Sequence, residues 1–164
     1  MTDLSAYAAG LLLTALLCVY ASCKRHDGAL IRSLIAVAGI WVAGASYVAE
    51  TRIYDPWQLS IALDAMAAAI ILRYPAGLFQ ALLGVLFMLQ IAMHVGYGAA
   101  KFQGGADEYA YYDSLTYAAW LQLLVLSGWA CGRLGQARIR AAWRRCASDF
   151  DRAGHKHLHR GGKR

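Results

Sequence analysis

The stretch Trp57 to Lys101, WQLSIALDAMAAAIILRYPAGLFQALLGVLFMLQIAMHVGYGAAK, is almost wholly apolar, yet it carries Asp64, Gln80, Gln90 and His94. As one helix it would run about 65 Å, twice the ~30 Å of a bilayer's hydrocarbon core. The chain must therefore turn back, and Arg73-Tyr74-Pro75-Ala76-Gly77 is the natural place. Pro75 suits the first turn of a second helix, where its missing N–H costs nothing. The expectation is a hairpin of two membrane helices. Asp64 lies seven residues in from Trp57, and His94 seven residues in from Lys101. In antiparallel helices both side chains then sit about 10 Å below the same membrane face.

A soluble helical bundle is the competing class. It is disfavoured because 59% of the residues are hydrophobic and only 16% charged. Several apolar runs also approach the ~20 residues that a crossing needs. Met1 to Leu4 holds an acid and no base, whereas a signal peptide opens on positive charge. The first apolar run is expected to be a retained anchor.

The predicted fold is an all-α polytopic membrane helix bundle. Its five transmembrane helices fall at about 5–22, 29–49, 57–72, 76–100 and 115–133, and a basic amphipathic tail follows at 134–164. Asp55 reads as the N-cap of span three with Pro56 as its first helical residue, and Asp113 or Ser114 as the cap of span five. Span three is short, about 24 Å of helix, to be met by local thinning or by Arg73 snorkelling. If it were not a true crossing, four spans would remain. Loop charges set the orientation, because Lys and Arg favour the cytoplasmic side. Lys24, Arg25, Arg73 and the tail share one side, and ten of the sixteen basic residues lie from Arg133 onward. The other side holds Asp3, Glu50, Asp55, Asp107, Glu108 and Asp113, with only Arg52 and Lys101 as bases. An N-out, C-in arrangement follows. It places Cys18, Cys23, Cys131 and Cys146 at the cytoplasmic end, where thiols stay reduced. It also gathers Tyr47, Tyr54, Trp57, Tyr97, Tyr109, Tyr111, Tyr112, Tyr117 and Trp120 near the outer interface, the depth such rings prefer.

Gln90, His94, Tyr97 and Lys101 share one helix face. With Asp64 at matching depth, and Gln122 about a turn and a half into span five, they form a candidate polar site in the outer half of the bundle. Ionisable groups in lipid are expensive and face a bundle interior or a watery cavity. An Asp–His pair can relay a proton or ligate a cation. The plainer alternative is an interhelical hydrogen bond that locks the hairpin. On span two, Arg32, Ala36, Gly39, Ala43, Ser46 and Glu50 share a face of mostly small residues, which reads as helix packing. Gly128 and Gly132 form a GxxxG pair that can support a homo-oligomer. In the tail, Ile139, Ala142, Trp143, Cys146 and Phe150 recur at helical spacing among Arg138, Arg140, Arg144 and Arg145. That pattern describes binding to anionic lipid at the cytoplasmic face. Nucleic acid is the rival partner, and lipid is favoured because the tail emerges at a membrane surface. His155, His157 and His159 make a poor metal site on a cationic tail. No cofactor or metal is assigned. The chain has no GxSxG, Walker loop or HExxH, and no enzyme activity is expected.

Asp64, then Arg73-Tyr74-Pro75-Ala76-Gly77, then Gln80, Gln90 and His94 resembles a pattern in small uncharacterised membrane proteins of bacteriophages and prophages. The resemblance covers about Leu59 to Gly98 and implies a bacterial cytoplasmic (inner) membrane, but no activity. Phage holins are also similar, although they usually have fewer spans. The expected function is a non-enzymatic membrane module that self-associates or binds an envelope partner, favoured by the small-residue faces and the absence of catalytic motifs. The alternative is a small channel or proton-linked transporter built on Asp64 and His94, and a membrane enzyme ranks third.

Overall fold

A computed structural model describes residues 4–51, 56–73 and 77–160, with side chains described from residue 5 to residue 136 of these ranges. Five helices appear among the described residues, and no strand. They are α1 (Leu4–Arg25), α2 (Gly28–Thr51), α3 (Trp57–Leu72), α4 (Leu78–Phe102) and α5 (Glu108–Arg160). Four segments are long and apolar enough to cross a membrane: Ser5–Arg25, Gly28–Thr51, Leu78–Phe102 and Glu108–Gln136. α3, with 16 residues, is shorter.

Burial follows one stripe per helix. Leu11, Cys18, Leu30, Leu34, Ile71, Leu83, Phe87, Leu123 and Leu126 meet inside. Leu12, Leu13, Leu16, Ile35, Val85, Met88 and Leu124 face outward and are more than half exposed. A soluble bundle would put polar residues there. Outward faces of Leu, Val and Met are what an apolar solvent selects.

The α1–α2 turn takes two residues. His26 adopts a left-handed conformation (φ 51°), and its N–H donates to the Ser22 carbonyl at 2.6 Å. Asp27 then caps α2. Its Oδ1 accepts the N–H groups of Ala29 and Leu30, both at 3.2 Å, which satisfies two of the helix's orphan donors. So short a turn makes α1 and α2 antiparallel neighbours.

The α3–α4 hairpin is closed by side chains of its own. The Gln80 amide donates to the Ile71 carbonyl, one of the unpaired acceptors at the end of α3. At the far end the Trp57 ring lies on Gly98, where an added Cβ would sit 2.7 Å from the indole. Glycine is required there for the approach. α4 starts at Leu78 rather than Ala76, because Gly77 has φ 143°, a conformation that ends regular helix and suits only glycine. Pro56 immediately precedes α3 instead of opening it, its carbonyl accepting the Ser60 N–H at 3.0 Å. Asp55 and Pro75 lie outside the described residues.

α5 departs furthest from expectation. It begins at Glu108, capped by Asp107, whose Oδ1 accepts the Ala110 N–H at 3.0 Å. Asp113 and Ser114 are inside the helix, and the Ser114 hydroxyl donates back to the Ala110 carbonyl at 2.7 Å. No break separates 115–133 from 134–160. The helix runs on to Arg160 for 53 residues, about 80 Å, because the Ala- and Arg-rich tail is made of good helix formers. Among the described residues, most of the small-residue face of α2 is left uncovered. Ala36 is buried, but Ala43 and Ser46 are exposed and a Cβ on Gly39 would meet nothing within 4 Å. Cys18, Cys23 and Cys131 are free thiols, and the Cys146 side chain lies outside the described ones.

Candidate functional site: a buried polar relay

Because α3 and α4 run antiparallel along each other, Asp64 and His94 meet at one level, 4% and 3% exposed. Asp64 Oδ2 lies 3.0 Å from His94 Nε2. The other ring nitrogen, Nδ1, lies 2.5 Å from the Tyr111 hydroxyl on α5. One imidazole therefore joins three helices.

The chain of groups has a specific chemical property. With Asp64 ionised and His94 neutral, Nε2–H donates to the carboxylate and Nδ1 accepts from the Tyr111 hydroxyl. When the ring takes up a proton, both nitrogens become donors, and the same hydroxyl accepts after turning about its C–O bond. Both ring nitrogens thus keep a hydrogen-bond partner in either charge state without moving a helix.

Tyr97 holds the relay rather than joining it. Its ring stacks on Tyr111 with centroids 3.8 Å apart and 7° between planes. Its hydroxyl donates to Glu108 Oε1 at 3.4 Å, and the Lys101 ammonium sits 5.6 Å from its ring centroid. About one turn deeper, the Gln122 amide donates to Gln90 Oε1 at 2.5 Å, a second polar bridge between α4 and α5. The five expected site residues therefore form two bonded pairs, Asp64 with His94 and Gln90 with Gln122, and one supporting ring. Tyr97 and Tyr111, expected at an outer interface, are buried in this cluster.

A cavity of about 600 Å³ reaches Asp64, Gln90 and His94. Its other walls are largely aliphatic and aromatic, with Tyr7, Trp41 and Tyr112 among them. Asp64 and His94 are the ionisable groups that could ligate an ion there, and no third His, Cys, Asp or Glu gathers with them among the described residues.

Sequence reasoning passed over Tyr111, although a signal existed. Tyr111, Ala118, Gln122 and Leu126 fall on one helical face, and all four are buried. It also passed over Asp27. This carboxylate caps α2 and accepts from Arg133 Nε at 2.6 Å, tying the α1–α2 turn to α5. Between the two ends, the hydroxyls of Thr14 and Ser127 meet at 3.1 Å. Arg138, Arg140, Trp143, Arg144 and Arg145 lie on the continuation of α5, where side chains are not described. No family model, no curated protein and no solved structure matches this chain.

Proposed function

We propose that the protein is a small proton-linked membrane transporter or channel, not an enzyme, working through the Asp64–His94–Tyr111 relay. The observation that carries this reading is the meeting of that buried chain with a cavity of about 600 Å³. A purely structural polar lock needs neither a cavity beside it nor a hydroxyl that can serve both charge states. The relay takes up and releases a proton, and the cavity beside it is the route by which that proton enters or leaves.

The reading includes five crossings with the N-terminus outside, in a bacterial cytoplasmic membrane, as in the phage and prophage proteins that the hairpin resembles. It is supported by the segregation of Lys24, Arg25, Arg73 and Arg133 to one end of the bundle. α3 counts as a crossing because it packs along α4 from Gly98 to Gly84. Beyond the bundle, Arg138, Arg140, Trp143, Arg144 and Arg145 meet anionic lipid where α5 emerges, and nucleic acid is not the partner. The second reading, a module that self-associates, is favoured by one observation. The small residues Gly39, Ala43 and Ser46 face outward and are exposed among the described residues.

The test is proton flux into liposomes that enclose a pH-sensitive dye, driven by an acid jump with the membrane potential clamped. Wild-type protein should acidify the lumen faster than protein-free liposomes, and Asp64→Asn and His94→Gln should return the rate to that baseline at equal protein content. Wild-type liposomes that behave like empty ones would sink the proposal.

A further inference from the structure

At the end of the bundle away from the relay, the α1–α2 turn meets α5 around a second cavity, of about 240 Å³. Its walls are Arg25, His26, Asp27, Arg133 and Gln136, every one polar or ionisable. Two guanidinium groups face one carboxylate, so the cavity carries net positive charge even with His26 neutral. Asp27 is already committed on both oxygens, to the N–H groups of Ala29 and Leu30 and to Arg133 Nε. Arg25 Nη2 is buried and has no hydrogen-bond partner. A buried guanidinium nitrogen in that state is costly and calls for an acceptor from outside the chain.

A neighbouring cavity of about 220 Å³ shares Arg133 and Gln136 and is walled by Leu78, Phe79 and Trp129. The Phe79 and Trp129 rings stack with 10° between planes. A cationic, hydrogen-bonding chamber thus adjoins an apolar one. α1 and α2, both long enough to cross a membrane, end beside the charged chamber. In a bilayer it lies at headgroup depth.

We propose that Arg25 and Arg133 hold a phosphate group in this chamber, with Gln136 as a further donor. The planar guanidinium fork matches paired phosphate oxygens, and such charge-assisted bonds are the strong ones. The phosphate comes either from a glycerophospholipid, whose acyl chains would enter the apolar chamber, or from free phosphate. This site is discrete and saturable, unlike the diffuse attraction of a basic tail to an anionic surface.

The experiment uses the full-length protein in a neutral maltoside detergent, titrated with dihexanoylphosphatidylglycerol below its micelle concentration. Wild type should saturate at one lipid per chain. The variant Arg25→Gln should bind on the order of tenfold more weakly, as for one lost charge-assisted hydrogen bond, and dihexanoylglycerol, which lacks the phosphate and so loses the Arg133 contact as well, more weakly still. Replacing Arg138, Arg140, Arg144 and Arg145 together by Gln should leave the saturable site in place. Competition by millimolar inorganic phosphate would assign the site to the phosphate group alone. Its absence, with lipid still bound, would assign it to the lipid. If Arg25→Gln fails to fold, Arg25→Lys keeps the charge without the fork and should still weaken binding about threefold, roughly half of that lost bond. No saturable binding, equal binding of dihexanoylglycerol, or unchanged affinity in the folded Arg25 variant would overturn the proposal.

Discussion

Removing His94 tests the relay most directly. His94→Ala deletes both hydrogen bonds and leaves Asp64 and the Tyr111 hydroxyl facing each other across a void, with Asp64 only 4% exposed. An interhelical polar bond in a membrane protein is worth about 0.6 kcal/mol on average and about 1.7 at most. Two such bonds alone would cost about 1–3 kcal/mol. Stranding a buried carboxylate raises the figure to about 3–5 kcal/mol. The expected cost is about 3 kcal/mol. Asp64→Ala strands only one imidazole nitrogen, which should cost about 1–2 kcal/mol. The double variant strands no charge, so it should cost less than the sum, with a coupling of about 1–3 kcal/mol. The assay is reversible unfolding in mixed maltoside–dodecyl sulfate micelles, followed by tryptophan fluorescence. Additivity within about 0.5 kcal/mol would show that the two side chains do not share an interaction, and the relay would have to be given up.

The hairpin makes a separate forecast. Gly98→Ala drives a methyl group to 2.7 Å from the rigid Trp57 ring and should cost about 1–3 kcal/mol in the same micelle assay. Gly96→Ala, two residues away with nothing within 4 Å of the new Cβ, should stay within about 0.5 kcal/mol. Arg133→Ala frees the second Asp27 oxygen. Because the Arg133 side chain is 38% exposed, the loss should be about 1–2 kcal/mol rather than the full value of a buried pair, read as a lowered melting temperature. An alkaline phosphatase fused after Gly162 should be inactive in bacterial cells, and high periplasmic activity there would refute the C-in orientation.

The level of Asp64 and His94 was legible because counting residues from the ends of two antiparallel helices sets depth with no knowledge of rotation. The facing of His94 was also legible, since Gln90, His94 and Tyr97 mark one side of α4. The facing of Asp64 was not, because α3 is Ala, Ile and Leu on nearly every side and carries no polar stripe. The start of α5 was hidden by its chemistry. Glu108-Tyr109-Ala110-Tyr111-Tyr112 reads as a polar loop, yet the Asp107 cap starts a helix there that buries Tyr111 and leaves Tyr109 and Tyr112 exposed. On α2, small residues marked a surface for close approach but not the surface that approaches it. The bond of Asp27 to Arg133 spans 106 positions, a pairing with no local trace.

The length of α5 makes it a connecting rod. Tyr111 and Arg133 are both fixed to it, about 33 Å apart along the axis. With Gln122 and Ser127 between them, this one helix contacts α4 and α1 at successive levels. Any change that rotates Tyr111 away from His94 must swing Arg133 relative to Asp27, because no hinge interrupts the helix between them. Events at the two ends of the bundle are therefore mechanically geared to one another.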